Sequence, residues 1–168
     1  VEIRTEATAD RPACLDLVTD GFGTGDSLEP IETPLLRELF DCDAYIPELS
    51  IVAESDGVVV GHVITTRASI GGEPSLGLGP IAVSPSHQKQ GVGSALMHAT
   101  IQRATALGEP TIVLLGDPDY YSRFGFVRAD VLGIEPPQDW GVHFMVRSLS
   151  DAPLPQGAFA YAEPFRKL

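Results

Sequence analysis

Two stretches of this sequence place residue types capable of chemistry at a spacing a folded chain can use. In the first, the apolar run Gly79-Pro80-Ile81-Ala82-Val83 empties into the polar turn Ser84-Pro85-Ser86-His87. Gln88-Lys89-Gln90-Gly91-Val92-Gly93 follows, and a helical pattern begins at once. A strand that passes through a glycine loop into a helix N-terminus presents free backbone N–H groups, and the helix dipole there favours negative charge. The loop therefore points to a grip on the pyrophosphate of a large anionic cofactor. It lacks the third glycine and downstream acid of a dinucleotide fingerprint, and the Gly-Lys-Ser/Thr of a nucleotide P-loop. Upstream, Pro80 has no N–H to donate to a sheet. That predicts a bulge at which two parallel strands part, leaving backbone groups free to pair with a ligand.

The second stretch is Gly116-Asp117-Pro118-Asp119-Tyr120-Tyr121-Ser122-Arg123-Phe124-Gly125-Phe126. Gln88-x-x-Gly91-x-Gly93 and Tyr121-x-x-x-Gly125-Phe126, one buried strand apart, together resemble the GNAT superfamily of acyl-CoA-dependent N-acetyltransferases. The run from Gly116 to Phe126 is similar to the YhbS-like branch of that superfamily. The likeness is motif-specific from Leu78 to Arg128 and extends to most of the chain in element order. It implies an N-acyltransferase that moves an acetyl group from acetyl-CoA, a cosubstrate, to a primary amine by direct attack, without a metal. It implies that the backbone of Gln88, Lys89, Gln90, Gly91, Val92 and Gly93, with Ser94 behind them, holds the CoA pyrophosphate, with Lys89 or His87 adding charge. Ile81, Ala82 and Val83 would pair with the pantetheine arm like an added strand. Tyr121 would sit by the cofactor sulfur and protonate the leaving thiolate, with Arg123 and Phe124 either structural or lining the cofactor edge. Many members carry a cofactor-contacting asparagine about seven residues before the tyrosine; this chain has Leu114 there.

The chemistry can also be stated from the reaction alone. An amine attacking a thioester builds negative charge on the carbonyl oxygen, which a backbone N–H in the splayed strand, such as that of Val83, would stabilise. The departing sulfur needs a proton or a strong hydrogen bond, which a phenol supplies. An alkyl ammonium of pKa about 10.4 must first lose a proton. Ser75 to Val83 contains no acid. His62 is then the best side-chain base, with a structural core histidine as the alternative reading; Glu54, Glu73, His98 and His143 follow it. The missing obvious base keeps a second possibility open, a non-catalytic acyl-CoA-binding or sensor module on the same fold.

The elements that must position these residues follow from patterning. The 168 residues, 43% hydrophobic and 20% charged, read as a single domain over 1–168 with a substantial core. Val1 to Thr5 is a strand. A helix capped by Thr8 or Asp10 carries the stripe Cys14, Leu17, Val18, Phe22 and ends in Gly21, Gly23 and Gly25. Thr33-Pro34 starts a second helix as cap and first position. Ser50 to Ser55, a tight Asp56-Gly57 turn, Val58 to Ile70 and Ser75 to Val83 make an antiparallel meander. A helix from Val92 to Leu107 with the stripe Val92, Ala95, Leu96, Ala99 precedes a strand buried on both faces, Thr111 to Leu115. Terminal strands are expected at Phe126–Asp130, His143–Arg147 and Gly157–Ala162. The fold class is α/β (α+β): a mixed central sheet with flanking helices and parallel strands splayed in the middle.

Net charge is −12, which argues against nonspecific nucleic-acid binding, and no run is long and apolar enough for a membrane span. Residues 26–54 hold eight acids against the single base Arg37. If that stretch walls the acceptor side, the amine, whether small molecule or protein-borne, is expected to be cationic beyond its reacting nitrogen. Cys14 and Cys42 lie far apart and read as thiols in a cytoplasmic protein, not as a disulfide or metal pair. A homodimer is left open.

Overall fold

The computed structural model describes residues 1–23 and 29–168. Its frame is a sheet in the order β1-β2-β3-β4-β5-β8-β6, with β9 pairing to β3 and β7 to β9. The strands are β1 (Glu2–Thr5), β2 (Ser50–Ser55), β3 (Val58–Ile70), β4 (Glu73–Val83), β5 (Thr111–Leu115), β6 (Val127–Arg128), β7 (Ile134–Glu135), β8 (Phe144–Ser148) and β9 (Gly157–Ala160). The meander β1 to β4 is antiparallel throughout. Two-residue turns close its hairpins, with positive φ at Asp56 and Gly57 and at Gly71 and Gly72. That geometry matches the twist of paired strands.

Helices cover both faces. On one lie α1 (Arg11–Phe22) and α2 (Glu32–Asp41), whose buried residues Cys14, Val18, Leu36 and Leu39 pack on Val52, Ile64 and Ala82. On the other lies α3 (Val92–Ala106), whose Val92, Leu96, Met97 and Ala104 pack against Ile51, Val63, Leu76 and Ile112. Two single-turn helices, α4 (Pro118–Tyr121) and α5 (Glu163–Arg166), are the remaining α-helices among the described residues. Their lengths are set by Asp117-Pro118 at one start and by Pro164 at the other.

Several boundaries differ from the sequence reading, each for a local reason. Thr33 is inside α2, not its cap. It is 2% exposed and its hydroxyl lies 2.8 Å from that of Thr19, and the helix begins two residues earlier than expected, at Glu32 and not Pro34. Phe22 leaves the α1 stripe and is 41% exposed. In α3 the buried stripe is completed by Met97, Thr100 and Ala104, while Ala95 and Ala99 are half-buried. The strand expected at Phe126–Asp130 shrinks to two residues, and the short β7 pairs in parallel with β9. Gly25 lies outside the described residues.

Candidate active site

The sheet opens where Pro80 interrupts it. β4 and β5 run parallel and pair only at Leu76–Ile112 and Gly77–Val113. Opposite β3, two residues of β4, Gly79 and Pro80, fall between the partners of Val63 and Thr65, a register shift of the bulge type. Beyond it β4 still pairs with β3 on one edge while its other edge faces the gap toward β5. The hydrogen-bond alternation fixes which groups face that gap. Ser84 N–H donates to Val60 O at 2.8 Å. Alternation then makes Gly61/Val83 and Val63/Ile81 the non-bonded pairs, so Ile81 and Val83 turn their N–H and C=O groups away from β3. The Val83 carbonyl accepts the Gln88 side-chain amide at 3.2 Å. Ala82 has the opposite sense; its side chain packs under α1 and α2 and is 7% exposed.

The loop after β4 forms a concave cradle of about 530 Å³ lined by Val83, His87, Gln88, Lys89, Gly91, Gly93, Ser94, Tyr120 and Arg123. Lys89 and Gly91 are both left-handed, with φ of 61° and 85°. Successive backbone N–H groups in such turns converge into an anion-binding concavity, and the first N–H groups of α3 add to it. Among the described residues that line it, Lys89 and Arg123 supply positive charge and no carboxylate opposes them. At Gly93 a Cβ would lie 3.0 Å from the Tyr120 hydroxyl, so the missing side chain keeps the cradle open. The donor set and its charge fit a pyrophosphate. Gln90 bonds back to the Ser86 carbonyl at 3.2 Å, Val92 is a core residue at 3% exposure, and neither side chain lines the cradle.

Tyr121 follows Tyr120, which lines this cradle. Asp117 caps α4 by accepting the Asp119 N–H at 3.0 Å, and Tyr121 N–H donates to the Asp117 carbonyl at 3.0 Å. The Tyr121 ring lies on the Cα of Gly116, where any Cβ would overlap it. Gly116 is itself held by His143, through its N–H to the His143 carbonyl at 2.9 Å and its carbonyl against His143 Nδ1 at 3.1 Å. Arg147 donates to the Phe124 carbonyl at 2.7 Å, closing the turn that ends at Gly125. Tyr121 is flanked edge-on by Tyr120, at 4.9 Å between ring centres, and by Phe126, at 6.2 Å. Burial pushes its phenol up to about 12. Phe124 is 6% exposed, in core contact with His98 at 5.2 Å, and is structural. Leu114, at the asparagine position, is 1% exposed in the core.

His62 is not placed to act on an amine. It is 1% exposed, packs on Phe40 at 5.8 Å and lies 2.9 Å from Ser50 Oγ through Nε2. Burial pushes its pKa down to about 3, so it is a neutral core imidazole, and the expectation that it is the base is withdrawn. Glu54 is paired with Arg4 at 2.9 Å. Among the described residues no cluster of His, Cys, Asp and Glu could hold a metal ion. Cys14 and Cys42 are free thiols, and no described helix is long and apolar enough to cross a membrane.

A second opening lies on the α1–α2 face, a cleft of about 550 Å³ that reaches Leu78, Gly79 and Pro80 of β4 and Leu115 of β5. The residue the sequence reading missed there is Tyr161. Its ring covers Gly77, where a Cβ would come within 2.5 Å of it, and stacks on Phe165 at 4.3 Å. Burial raises its phenol above the usual tyrosine range. The one available signal was the aromatic spacing Phe159-x-Tyr161 followed by Phe165, which resembles any strand end.

A cradle on one face and a cleft on the other flank the point where two parallel strands part. Residues 12–126 match the model of the acetyltransferase (GNAT) family. The chain is 36% identical over 99 residues to an uncharacterized N-acetyltransferase of Escherichia coli K12, YjhQ, a match covering 56% of this chain and 55% of that protein. The chain thus spans about half the length of that relative. It is 29% identical over 129 residues to the E. coli uncharacterized N-acetyltransferase YhbS, covering 76% of this chain and 74% of the other. The structure of E. coli YhbS in complex with CoA superposes with a TM-score of 0.89 over 98% of this chain and 91% of that one, at 29% identity. A GNAT acetyltransferase from Brucella melitensis in complex with acetyl-CoA gives 0.80 at 30% identity, over 98% and 97%. With a family match across most of the sheet and both motifs, the chain belongs to the GNAT family of acetyltransferases.

Proposed function

We propose that the chain is an acetyl-CoA-dependent N-acetyltransferase that acetylates a primary amine at the β4–β5 gap. The observation that carries this is the continuity of three features: an anion cradle at Lys89–Ser94, an unpaired strand edge at Ile81–Val83, and a protonated phenol at Tyr121. Structural relatives named with CoA and acetyl-CoA support the choice of ligand. Acetyl-CoA supplies an activated acetyl thioester. The N–H groups of the Lys89–Ser94 turn bind the pyrophosphate. Ile81 and Val83 offer strand-like hydrogen bonds to the amide-bearing arm, and Val83 N–H faces the developing negative charge on the carbonyl oxygen. The amine nitrogen, having shed a proton to solvent, forms the new C–N bond as the C–S bond breaks. The nitrogen loses its extra proton and the sulfur leaves as a thiol, so the balance is one proton released per transfer. Tyr121 donates a hydrogen bond or proton to the departing sulfur.

Among the described residues, His62 is buried in the core and Glu54 is paired with Arg4, which favours a solvent-mediated loss of the ammonium proton over either as a dedicated base. The same observation is what a non-catalytic acyl-CoA-binding module would present. Thiol release from acetyl-CoA with a panel of primary amines separates the two. Amine-dependent release above the hydrolytic background supports transfer. CoA binding by calorimetry without any amine-dependent release supports the module. Protection against thermal unfolding by ATP or NAD but not CoA would contradict both.

A further inference from the structure

The eight acids between residues 26 and 54 suggest a wall that attracts a polycation, but of the described acids of that stretch only Glu32 lines the cleft that touches the gap. Glu29 pairs with Arg37 at 3.1 Å, Glu38 with Lys167 at 2.8 Å and Glu54 with Arg4 at 2.9 Å. Asp26 lies outside the described residues. The cleft on the α1–α2 face, which touches the gap at Gly79, Pro80 and Leu115, is lined instead mostly by apolar and aromatic side chains from α1, α2, β4, β5, β9 and α5 and the loop before β8. Phe22 and Ile31 keep 41% and 59% of their surface exposed here. Leu35, Trp140, Phe159 and Phe165 face the same space. Among the described lining residues, the charged ones are one carboxylate, Glu32, and one guanidinium, Arg166. Exposed apolar side chains scattered singly need no explanation, but gathered in one cleft that reaches a reaction centre they mark a ligand.

We propose that this cleft binds the acceptor, and that the acceptor is a primary amine carrying an aromatic or bulky aliphatic group, its nitrogen directed to the Gly79–Pro80 end. This rests on the reading of the β4–β5 gap as the transfer site. A polyamine would desolvate several charges against this lining with few partners, whereas an arylalkylamine brings one charge and an apolar body matching the walls. The volume suits a compact ligand and not a folded protein surface. Each methylene matched or lost in such a pocket changes selection by roughly 10–200-fold.

Trp140 is the single tryptophan of the chain and lines this cleft, so its fluorescence reports occupancy independently of turnover. The experiment titrates the intact protein, with CoA present, with phenethylamine and with spermidine while following Trp140 emission. It then measures kcat/KM for both amines with acetyl-CoA. The expected result is a saturable Trp140 response to phenethylamine and none to spermidine, with kcat/KM at least about tenfold higher for phenethylamine. Ile31→Glu, at an exposed position where folding is not at risk, should lower phenethylamine kcat/KM by about tenfold or more without lowering that of spermidine. Equal or better use of spermidine, or no Trp140 response to phenethylamine, overturns the proposal. A Trp140 response to phenethylamine with no turnover of any amine supports the assignment of the cleft while removing the transfer reaction, so the two failures are distinguishable.

Discussion

Burial raises the Tyr121 phenol to about 12, while a thiol has a pKa of about 8.5. A departing thiolate would thus be the weaker base of the two, and on the proposed mechanism the larger service of Tyr121 is a hydrogen bond to it. Tyr121→Phe should lower kcat by about 10²-fold, the lower end of general-acid effects, with CoA affinity by calorimetry nearly unchanged. A phenol of that pKa stays protonated, so kcat/KM should rise with pH as the amine loses its proton and show no falling limb below about pH 10; a fall near pH 8 would contradict the assignment. His62 provides the opposite case. Its folded pKa of about 3 lies below the unfolded value of about 6.5, so between the two the unfolded chain binds the extra proton. Stability is therefore lost as pH drops below about 6.5. Urea midpoints should fall between pH 7 and pH 5 in the parent chain and change less in His62→Gln. The sequence singles out Tyr121 as a candidate because its motif is local. It could not exclude His62, because whether a histidine on a strand faces a cleft or Phe40 is decided by helices distant in sequence.

At the scale of elements, the gap depends on two backbone devices. Pro80 interrupts β4, and Gly116 lets the α4 turn fold Tyr121 onto the end of β5. Gly116→Ala would place a Cβ inside the Tyr121 ring, so it should reduce kcat about as much as Tyr121→Phe while α3 and the cradle still bind CoA. Gly91→Ala acts on the other half. Its φ of 85° costs an L-residue roughly 1–2 kcal/mol, and the expected outcome is weaker CoA binding by calorimetry with little change in kcat at saturation. Most elements were legible because their signals are short-range: the Asp56-Gly57 turn and the unalternating Thr111–Leu115 run. Those read poorly were set by long-range pairing. β6 is cut to two residues by its fit to β8, and β7 exists because Gly157 and Ala158 offer it an edge. The aromatic layer joins Trp140, from the loop before β8, to Phe159, Tyr161 and Phe165 near the end of the sequence, a contact that no short window shows.

At the scale of the whole molecule, the two faces of the opened sheet divide the task. The α3 face carries the cationic cradle and the α1–α2 face the apolar cleft, in a chain whose net charge is −12. The uneven charge was plain in the sequence, but its meaning was not, because the ion pairs that absorb Glu29, Glu38 and Glu54 join residues up to the far end of the chain. An acceptor KM nearly indifferent to ionic strength follows, since screening weakens steering by exposed charge and not apolar contact; a strong rise of acceptor KM with salt would restore the electrostatic reading. The central claim is that cradle, strand edge and phenol act on one bound molecule. A crystal structure with acetyl-CoA bound tests it most directly. The account predicts the pyrophosphate on the N–H groups of Lys89–Ser94, the thioester oxygen about 3 Å from Val83 N–H, and the sulfur within hydrogen-bond reach of the Tyr121 hydroxyl. Acetyl-CoA bound elsewhere, or a thioester out of reach of both Val83 and Tyr121, would contradict it.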